Sequence, residues 1–121
     1  MSTVGLGVDL VDVRRFATVI SRRPRVLARV FTDEERRDAK GAATSLAARF
    51  AAKEATWKAL GRGLGATGFR DVEVRTRPSG EPELHVRGRA ADLAAERRVA
   101  TWHVSLTHTD GHAVAVVIAS S

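Results

Sequence analysis

SLAARFAAKEATWKAL, residues 45–60, is the most periodic stretch of the 121-residue chain. Its large apolar side chains recur at helical spacing and fall within one narrow arc: Leu46, Phe50, Trp57 and Leu60. Six alanines occupy the opposite side, and they are small enough to let a second element approach closely. The stretch therefore predicts one long helix that is buried on two sides.

Upstream of this helix, the sequence predicts a strand followed by shorter helices. Residues 4–11 alternate apolar and small side chains, as a strand does, and Asp12 then has the character of a helix N-cap. Helical spacing continues over residues 13–21. Thr32 followed by Glu35 has the spacing of a capping box, so a further helical turn is expected to begin there.

Downstream of the long helix, a glycine-rich stretch from Gly61 to Gly68 marks the helix end. Alternating segments separated by turn residues then predict two hairpins with a helix between them. The strands are expected at residues 71–76, 83–87, 101–107 and 112–119, and the helix at residues 89–98. This order predicts an α+β fold, with a mainly antiparallel sheet and the long helix packed on it.

Composition narrows the classes of protein to which the chain can belong. Its length and 44% hydrophobic content suit a single domain spanning residues 1–121. The sequence has no apolar run long enough for a membrane span and no signal-peptide pattern at its start, so we expect a cytoplasmic protein without membrane association. The absence of cysteine excludes disulfides, thiolate chemistry and cysteine-based zinc sites. A net charge of +6 favours an anionic partner.

Three charged residues are candidates for chemistry. Glu54 and Lys58 lie one helical turn apart, which fits either a surface ion pair of about 0.3 to 0.5 kcal/mol or a functional pair beside the glycine-rich helix end. Asp9 lies near a strand end between glycines, as either a turn aspartate or a magnesium ligand. Magnesium takes one or two carboxylates together with substrate phosphate, so Asp9 and Glu54 would suffice for phosphoryl transfer.

Histidines near the C-terminus give a weaker signal. His103 and His108 are out of step on one strand and do not form a convincing metal pair. A lone histidine near a turn is most often structural. His108, with Thr109 beside it, has the alternative of binding a phosphate.

Much of the positive charge lies in residues 12–29, where six arginines face a single aspartate and give a net charge of +5. Such a segment forms either a solvated face or a docking surface for an anionic partner. A small basic module that binds nucleic acid is therefore the alternative to an enzyme. Its weakness is the 5% aromatic content without tyrosine, because single-strand recognition relies on stacking side chains.

Three stretches together resemble the small, trimeric holo-(acyl-carrier-protein) synthases of the 4'-phosphopantetheinyl transferase superfamily. They are GLGVDLVDVRRF, ARFAAKEATWKALGRGLG and WHVSLTHTDGHAVAVVI, and they occur in the family's order along nearly the whole chain. The KEAxxKA core of the second stretch is the most specific of the three. The resemblance implies transfer of 4'-phosphopantetheine from coenzyme A to a serine of apo acyl carrier protein, which also yields adenosine 3',5'-bisphosphate.

The resemblance also implies a trimer, with coenzyme A held between neighbouring subunits and Mg²⁺, or alternatively Mn²⁺, on its pyrophosphate. Asp9 and Glu54 match the metal-binding carboxylates, and Lys58 matches the lysine thought to assist the leaving group. Glu54, directly or through a water molecule, would accept the serine proton. The positions matching coenzyme A contacts are Arg49, Gly61, Gly63, Ser79, Gly80, Pro82, His108 and Thr109.

The basic segment acquires a role through the same resemblance. Its arginines match the helical region that docks acidic carrier proteins: Arg15, Arg22, Arg25 and Arg29. Arg23 and Pro24 give this segment its own shape. The sequence does not choose between carriers of fatty-acid and polyketide synthesis.

Overall fold

The structure is a computed structural model that describes residues 2–121. Its strands are β1 (Thr3–Asp12), β2 (Val72–Thr76), β3 (Pro82–Val86), β4 (Thr101–His108) and β5 (His112–Ser120). Its helices are α1 (Val13–Arg22), α2 (Arg25–Val30), α3 (Asp33–Ala39), α4 (Ala43–Ala59) and α5 (Gly88–Glu96), with a short 3₁₀ turn at Phe69–Asp71. None of the helices in this part of the chain is both long and apolar enough to cross a membrane.

The strands form two antiparallel sheets. One has the order β1-β5-β4, and the other is the hairpin of β2 and β3. The long helix α4 packs against the three-stranded sheet, whose inward residues on β5 are fully buried: Ala113, Ala115, Val117 and Ala119. The predicted α+β class, antiparallel pairing and helix-on-sheet packing are therefore confirmed.

Glycines on β1 allow α4 to lie close to the sheet. A Cβ atom at Gly5 would lie 1.8 Å from the carbonyl oxygen of Ala59, and one at Gly7 would lie 1.8 Å from that of Ala55. Both distances are far below van der Waals contact, so any side chain at these positions would push the helix away. The glycines of β1 and the alanine side of α4 thus form one close-packed layer.

The opposite side of α4 carries the large side chains, as predicted. Trp57 is fully buried, and its indole Nε1 donates a hydrogen bond to Thr67 Oγ1 at 2.8 Å. Phe69 packs against this face, with its ring 5.1 Å from that of Trp57 and 5.7 Å from that of Phe50. The helix is therefore buried on two sides, between the sheet and an aromatic cluster.

Local signals place the ends of the helices. Asp12 Oδ1 accepts a hydrogen bond from the Arg15 amide at 3.0 Å, which makes Asp12 the N-cap of α1, and Thr32 with Glu35 forms the predicted capping box of α3. Gly61, at φ +71°, ends α4. The helix α4 begins at Ala43, two residues before the predicted start, and its N-cap Ala42 has no capping side chain that would mark this position in the sequence.

On the face of the three-stranded sheet that is uncovered within the described chain, β1 and β5 present an apolar surface. Leu6, Val8 and Leu10 on β1 are 58%, 50% and 62% exposed. They lie opposite Ile118, Val116 and Val114 of β5, which are half-buried. Contiguous exposed apolar surface of this kind is typical of an interaction site.

Candidate active site

The close packing of β1 on α4 brings the three charged candidates together. Asp9 is 8% exposed, and its Oδ1 accepts a hydrogen bond from Lys58 Nζ at 3.0 Å. Lys58 also donates to the carbonyl oxygen of Val8 at 3.0 Å. Within residues 2–121 its ion-pair partner is Asp9 and not Glu54, so the alternative of a simple Glu54–Lys58 surface pair is wrong. Lys58 links helix to strand.

The positive charge around the two carboxylates of this site does not balance their negative charge. Asp9 Oδ2 is buried and has no hydrogen-bond partner in the described chain. Burial, and next the negative charge of Asp9, raise the pKa of Glu54 to about 7, against the opposing effect of Lys58. Two neighbouring carboxylates, of which only Asp9 is paired with the ammonium group of Lys58, therefore favour the binding of a further cation.

A divalent cation fits this arrangement. Asp9 and Glu54 offer two carboxylates, and no cluster of three or more histidine, aspartate or glutamate ligands occurs among the residues the structure describes. A fully protein-made metal cage is therefore absent from that part of the chain. Magnesium suits such a site because it is commonly held by one or two carboxylates while phosphate and water fill its other positions.

A large apolar cavity of about 930 Å³ opens beside the carboxylates, with Asp9 and Glu54 in its wall. Side chains of α1, α2 and α4 supply most of its lining, including Phe16, Ile20, Val26, Val30 and Phe50. Arg15 and Arg29, two of the four predicted docking arginines, also line it. Arg22 and Arg25 are exposed on the same helical segment. The basic segment and the carboxylate pair thus border one cavity.

Arg49 lies away from this cavity, on the earlier part of α4. Its guanidinium donates to Ser45 Oγ at 2.6 Å and to Thr76 Oγ1 at 2.9 Å, and the residue is 6% exposed. Burial lowers the pKa of Arg49, and its Nε has no hydrogen-bond partner within residues 2–121. Arg49 therefore carries a buried charge that no hydrogen-bonded carboxylate neutralises there.

The other predicted coenzyme A contacts are spread over three loops. Ser79 and Gly80 lie in the exposed turn between β2 and β3, and Pro82 begins β3. His108 ends β4 and Thr109 follows it, with Thr109 Oγ1 accepting hydrogen bonds from the Gly111 and His112 amides. Gly61 and Gly63 follow α4. None of these residues lines the cavity beside Asp9 and Glu54.

Sequence reasoning missed two polar residues of the cavity. Asp12 and His112 both line it, and they are directly opposed on β1 and β5. The sequence predicts Asp12 only as a helix N-cap, and the structure shows that it caps α1 as well as lining the cavity. The position of His112 follows from the register of two strands at opposite ends of the chain, a long-range pairing that no local pattern predicts.

The sequence matches known proteins along nearly its whole length. Residues 5–117 match the family model described as the 4'-phosphopantetheinyl transferase superfamily. The chain belongs to this superfamily. Within it, the holo-[acyl-carrier-protein] synthase of Frankia alni is 48% identical over 121 residues, which cover 100% of both chains. The family resemblance inferred from the three sequence stretches is confirmed.

Two solved structures of this superfamily have the same fold. The Helicobacter pylori holo-[acyl-carrier-protein] synthase in complex with coenzyme A matches with a TM-score of 0.85 and 29% identity, over 95% of this chain and 99% of that one. The Bacillus anthracis holo-(acyl-carrier-protein) synthase in complex with coenzyme A (3',5'-ADP) matches with a TM-score of 0.79 and 32% identity, over 97% and 96%.

Proposed function

We propose that this chain is a holo-(acyl-carrier-protein) synthase, which transfers 4'-phosphopantetheine from coenzyme A to a serine of an apo acyl carrier protein. The products are the holo carrier and adenosine 3',5'-bisphosphate. The observation that carries the proposal is the site where Asp9, Glu54 and Lys58 meet at a cavity bordered by arginines. The family match over residues 5–117 supports the same activity and a single domain.

The protein side chains divide the chemistry between them. With a pKa raised to about 7, Glu54 is suited to accept the serine proton near neutral pH. Lys58, whose side chain is 52% exposed, can turn its ammonium toward the departing phosphate oxygen and stabilise the charge that develops there. When bound by Asp9 and Glu54, Mg²⁺, or alternatively Mn²⁺, supplies positive charge to the pyrophosphate of coenzyme A.

We propose that the enzyme is a homotrimer whose sites lie between neighbouring subunits. The exposed apolar face of Leu6, Val8 and Leu10 supports association, because a monomer would leave it in water. The separation of Arg49 and the three loops from the carboxylate cavity also supports it. In this arrangement one subunit supplies the carboxylates, and its neighbour supplies contacts to the adenosine phosphates and adenine.

We propose that the acyl carrier protein docks on α1 and α2. The four arginines of this surface are exposed, and two of them border the cavity that contains Glu54. An acidic carrier would thus be attracted to the place where its serine has to enter. The cytoplasmic location expected from the sequence stays a prediction.

Intact mass spectrometry of an apo acyl carrier protein tests the activity directly. The carrier is incubated with this protein, coenzyme A and Mg²⁺, with an EDTA control and a Glu54→Gln control. A mass gain of one phosphopantetheine that requires the metal and Glu54 is the expected result. No gain with several carriers, together with salt-dependent binding of nucleic acid, would support the basic-module alternative.

A further inference from the structure

On one edge of the hairpin of β2 and β3, the backbone groups form hydrogen bonds with side chains instead of with a neighbouring strand. Arg87 N donates to Asp71 O at 2.8 Å and Arg77 N to Glu81 O at 2.9 Å, so the odd-numbered residues of β2 face β3. The backbone groups of Val72, Val74 and Thr76 therefore point to the other edge. No strand pairs with that edge in the described chain.

Side chains from α3 and α4 take the place of the missing strand. Lys53 Nζ donates to Val72 O, the Val74 amide donates to Glu35 Oε2 at 3.1 Å, and the Thr76 amide donates to Asp38 Oδ2 at 3.2 Å. The hydroxyl of Thr76 also accepts from Arg49 at 2.9 Å. Alternate residues along the whole strand are thus bonded to the two helices.

A buried ion pair lies at the centre of this set. Lys53 and Glu35 are fully buried, and Lys53 Nζ lies 2.8 Å from Glu35 Oε1. The three ammonium protons have three acceptors, namely Glu35, Val72 O and the carbonyl oxygen of Phe69. Glu35 Oε1 also accepts from the Thr32 amide at 3.1 Å. Every polar group of the pair is used, which is the condition for tolerating buried charge.

This arrangement fixes the register of the strand on the helices. The apolar side chains of Val72 and Val74 bury area but tolerate sliding, because hydrophobic contact is not directional. Hydrogen bonds at successive backbone positions do not tolerate it. The strand leads through Thr76 into the turn with Ser79 and Gly80, so its register sets where that turn lies relative to α4.

We infer that Lys53 and Glu35 are positioning residues for coenzyme A. They hold β2 so that the turn at Ser79 and Gly80 keeps a fixed distance from Arg49, which is itself bonded to the end of the same strand. The turn and Arg49 are among the groups proposed above to contact the adenosine end of one ligand. The inference rests on that proposed function and adds the residues that align its two contacts.

The test uses the double variant Glu35→Gln with Lys53→Met in the full-length protein. It removes both buried charges together, because Lys53→Met alone would leave Glu35 buried and unpaired. The amide introduced by Glu35→Gln keeps an acceptor for the capping box, whereas Val72 O and Phe69 O lose their donor. Glu34→Gln is the matched control, since it removes only the exposed α3-to-β2 ion pair with Arg75 (3.4 Å).

The expected result is a rise of about tenfold in the KM for coenzyme A, with kcat and the KM for the carrier within about twofold of wild type. The Kd for 3',5'-ADP, measured by calorimetry, is expected to rise in parallel. Thr76→Val, at the exposed strand end, is expected to move the same constants by about threefold without disturbing the buried pair. The Glu34→Gln control is expected to change neither constant.

Two results would overturn the inference, and they are distinguishable. If the double variant and Thr76→Val lower only the melting temperature and leave the KM and Kd unchanged beside an active wild type, the pair has a structural role alone. If wild-type protein binds neither coenzyme A nor 3',5'-ADP, the proposed function fails and the positioning role fails with it.

Discussion

Lys58 differs from an ordinary helix-surface lysine because its hydrogen-bond partners lie outside the helix. It contacts the side chain of Asp9 and the backbone of Val8, both on β1. About half of its side chain remains accessible to a ligand. Two hydrogen bonds thus hold the ammonium group of Lys58 in place while part of the side chain stays accessible. This combination suits a residue that binds a negatively charged substrate group.

Lys58→Met is expected to lower kcat about 100-fold, because removal of one donor to a developing oxyanion costs about two to three powers of ten in other enzymes. The carrier mass assay at saturating coenzyme A measures the change. Lys40→Met, at an exposed lysine outside the site, is the matched control. A Lys58→Met variant with kcat near that of wild type would remove Lys58 from the chemistry.

Glu54 predicts a pH dependence of stability in the metal-free protein. Its pKa in the folded chain, about 7, lies above its ordinary value of 4.5. The folded state therefore binds more protons between these values, and the free energy of unfolding falls as pH rises through that window. In Glu54→Gln this fall is expected to be absent, so the variant becomes the more stable protein at pH values above about 7.

Urea unfolding in EDTA at a series of pH values measures the difference in the free energy of unfolding between wild type and Glu54→Gln. The two proteins share all other titrating groups. Added Mg²⁺ is expected to narrow or reverse the difference at high pH, because the cation favours the ionised carboxylate. Parallel curves for the two proteins would show that Glu54 is not perturbed.

Individual residues differ in how far the sequence predicts their roles. Asp9, Glu54 and Lys58 are predicted as candidates because each belongs to a short local pattern, a strand end or a helical turn. Their meeting depends on the packing of β1 on α4, which the glycines of β1 only permit. Arg49 is predicted as a ligand contact, but no local pattern indicates its burial, since that depends on the position of β2.

At the level of elements, the close contact of β1 with α4 leads to a stability prediction. Gly7→Ala is expected to cost about 3 kcal/mol or more, because its Cβ would meet a helix carbonyl that cannot rotate away. Gly111→Ala is the control, with nothing within 4 Å of the added atom. Urea denaturation measures both free energies of unfolding, and equal values would contradict the close-packed layer.

Some features of the helices and strands are predictable from the sequence, and others are not. The first residues of α1 and α3 follow from the N-caps at Asp12 and Thr32, which act within a few residues. Turn residues and alternation predict the two hairpins. They do not predict the separation of β2 and β3 into their own sheet, because the partners on the free edge of β2 are side chains from two distant helices.

At the scale of the whole molecule, the coenzyme A site proposed above is incomplete within one chain. The carboxylates and two of the four proposed docking arginines border one cavity, whereas the residues proposed to hold adenosine lie elsewhere. The uncovered apolar face on β1 and β5 is the surface through which copies of the chain would bring these parts together. Its aliphatic side chains alternate with buried residues, so a charge placed there would meet the partner without entering the core.

Val8→Asp is therefore expected to yield a folded monomer, because Val8 is 50% exposed within one chain and its replacement buries no charge there. In the assembly the same aspartate would lie between apolar surfaces, where an unpaired charge is strongly unfavourable. Light scattering during size-exclusion chromatography measures the mass, and circular dichroism checks the fold. Ala95→Asp, at an exposed position on α5, is the control and is expected to remain trimeric.

Transfer activity is expected to be lost with the trimer, since the carboxylates would no longer share a ligand with a neighbour's Arg49. A monomeric Val8→Asp protein with full activity would place the whole site in one chain.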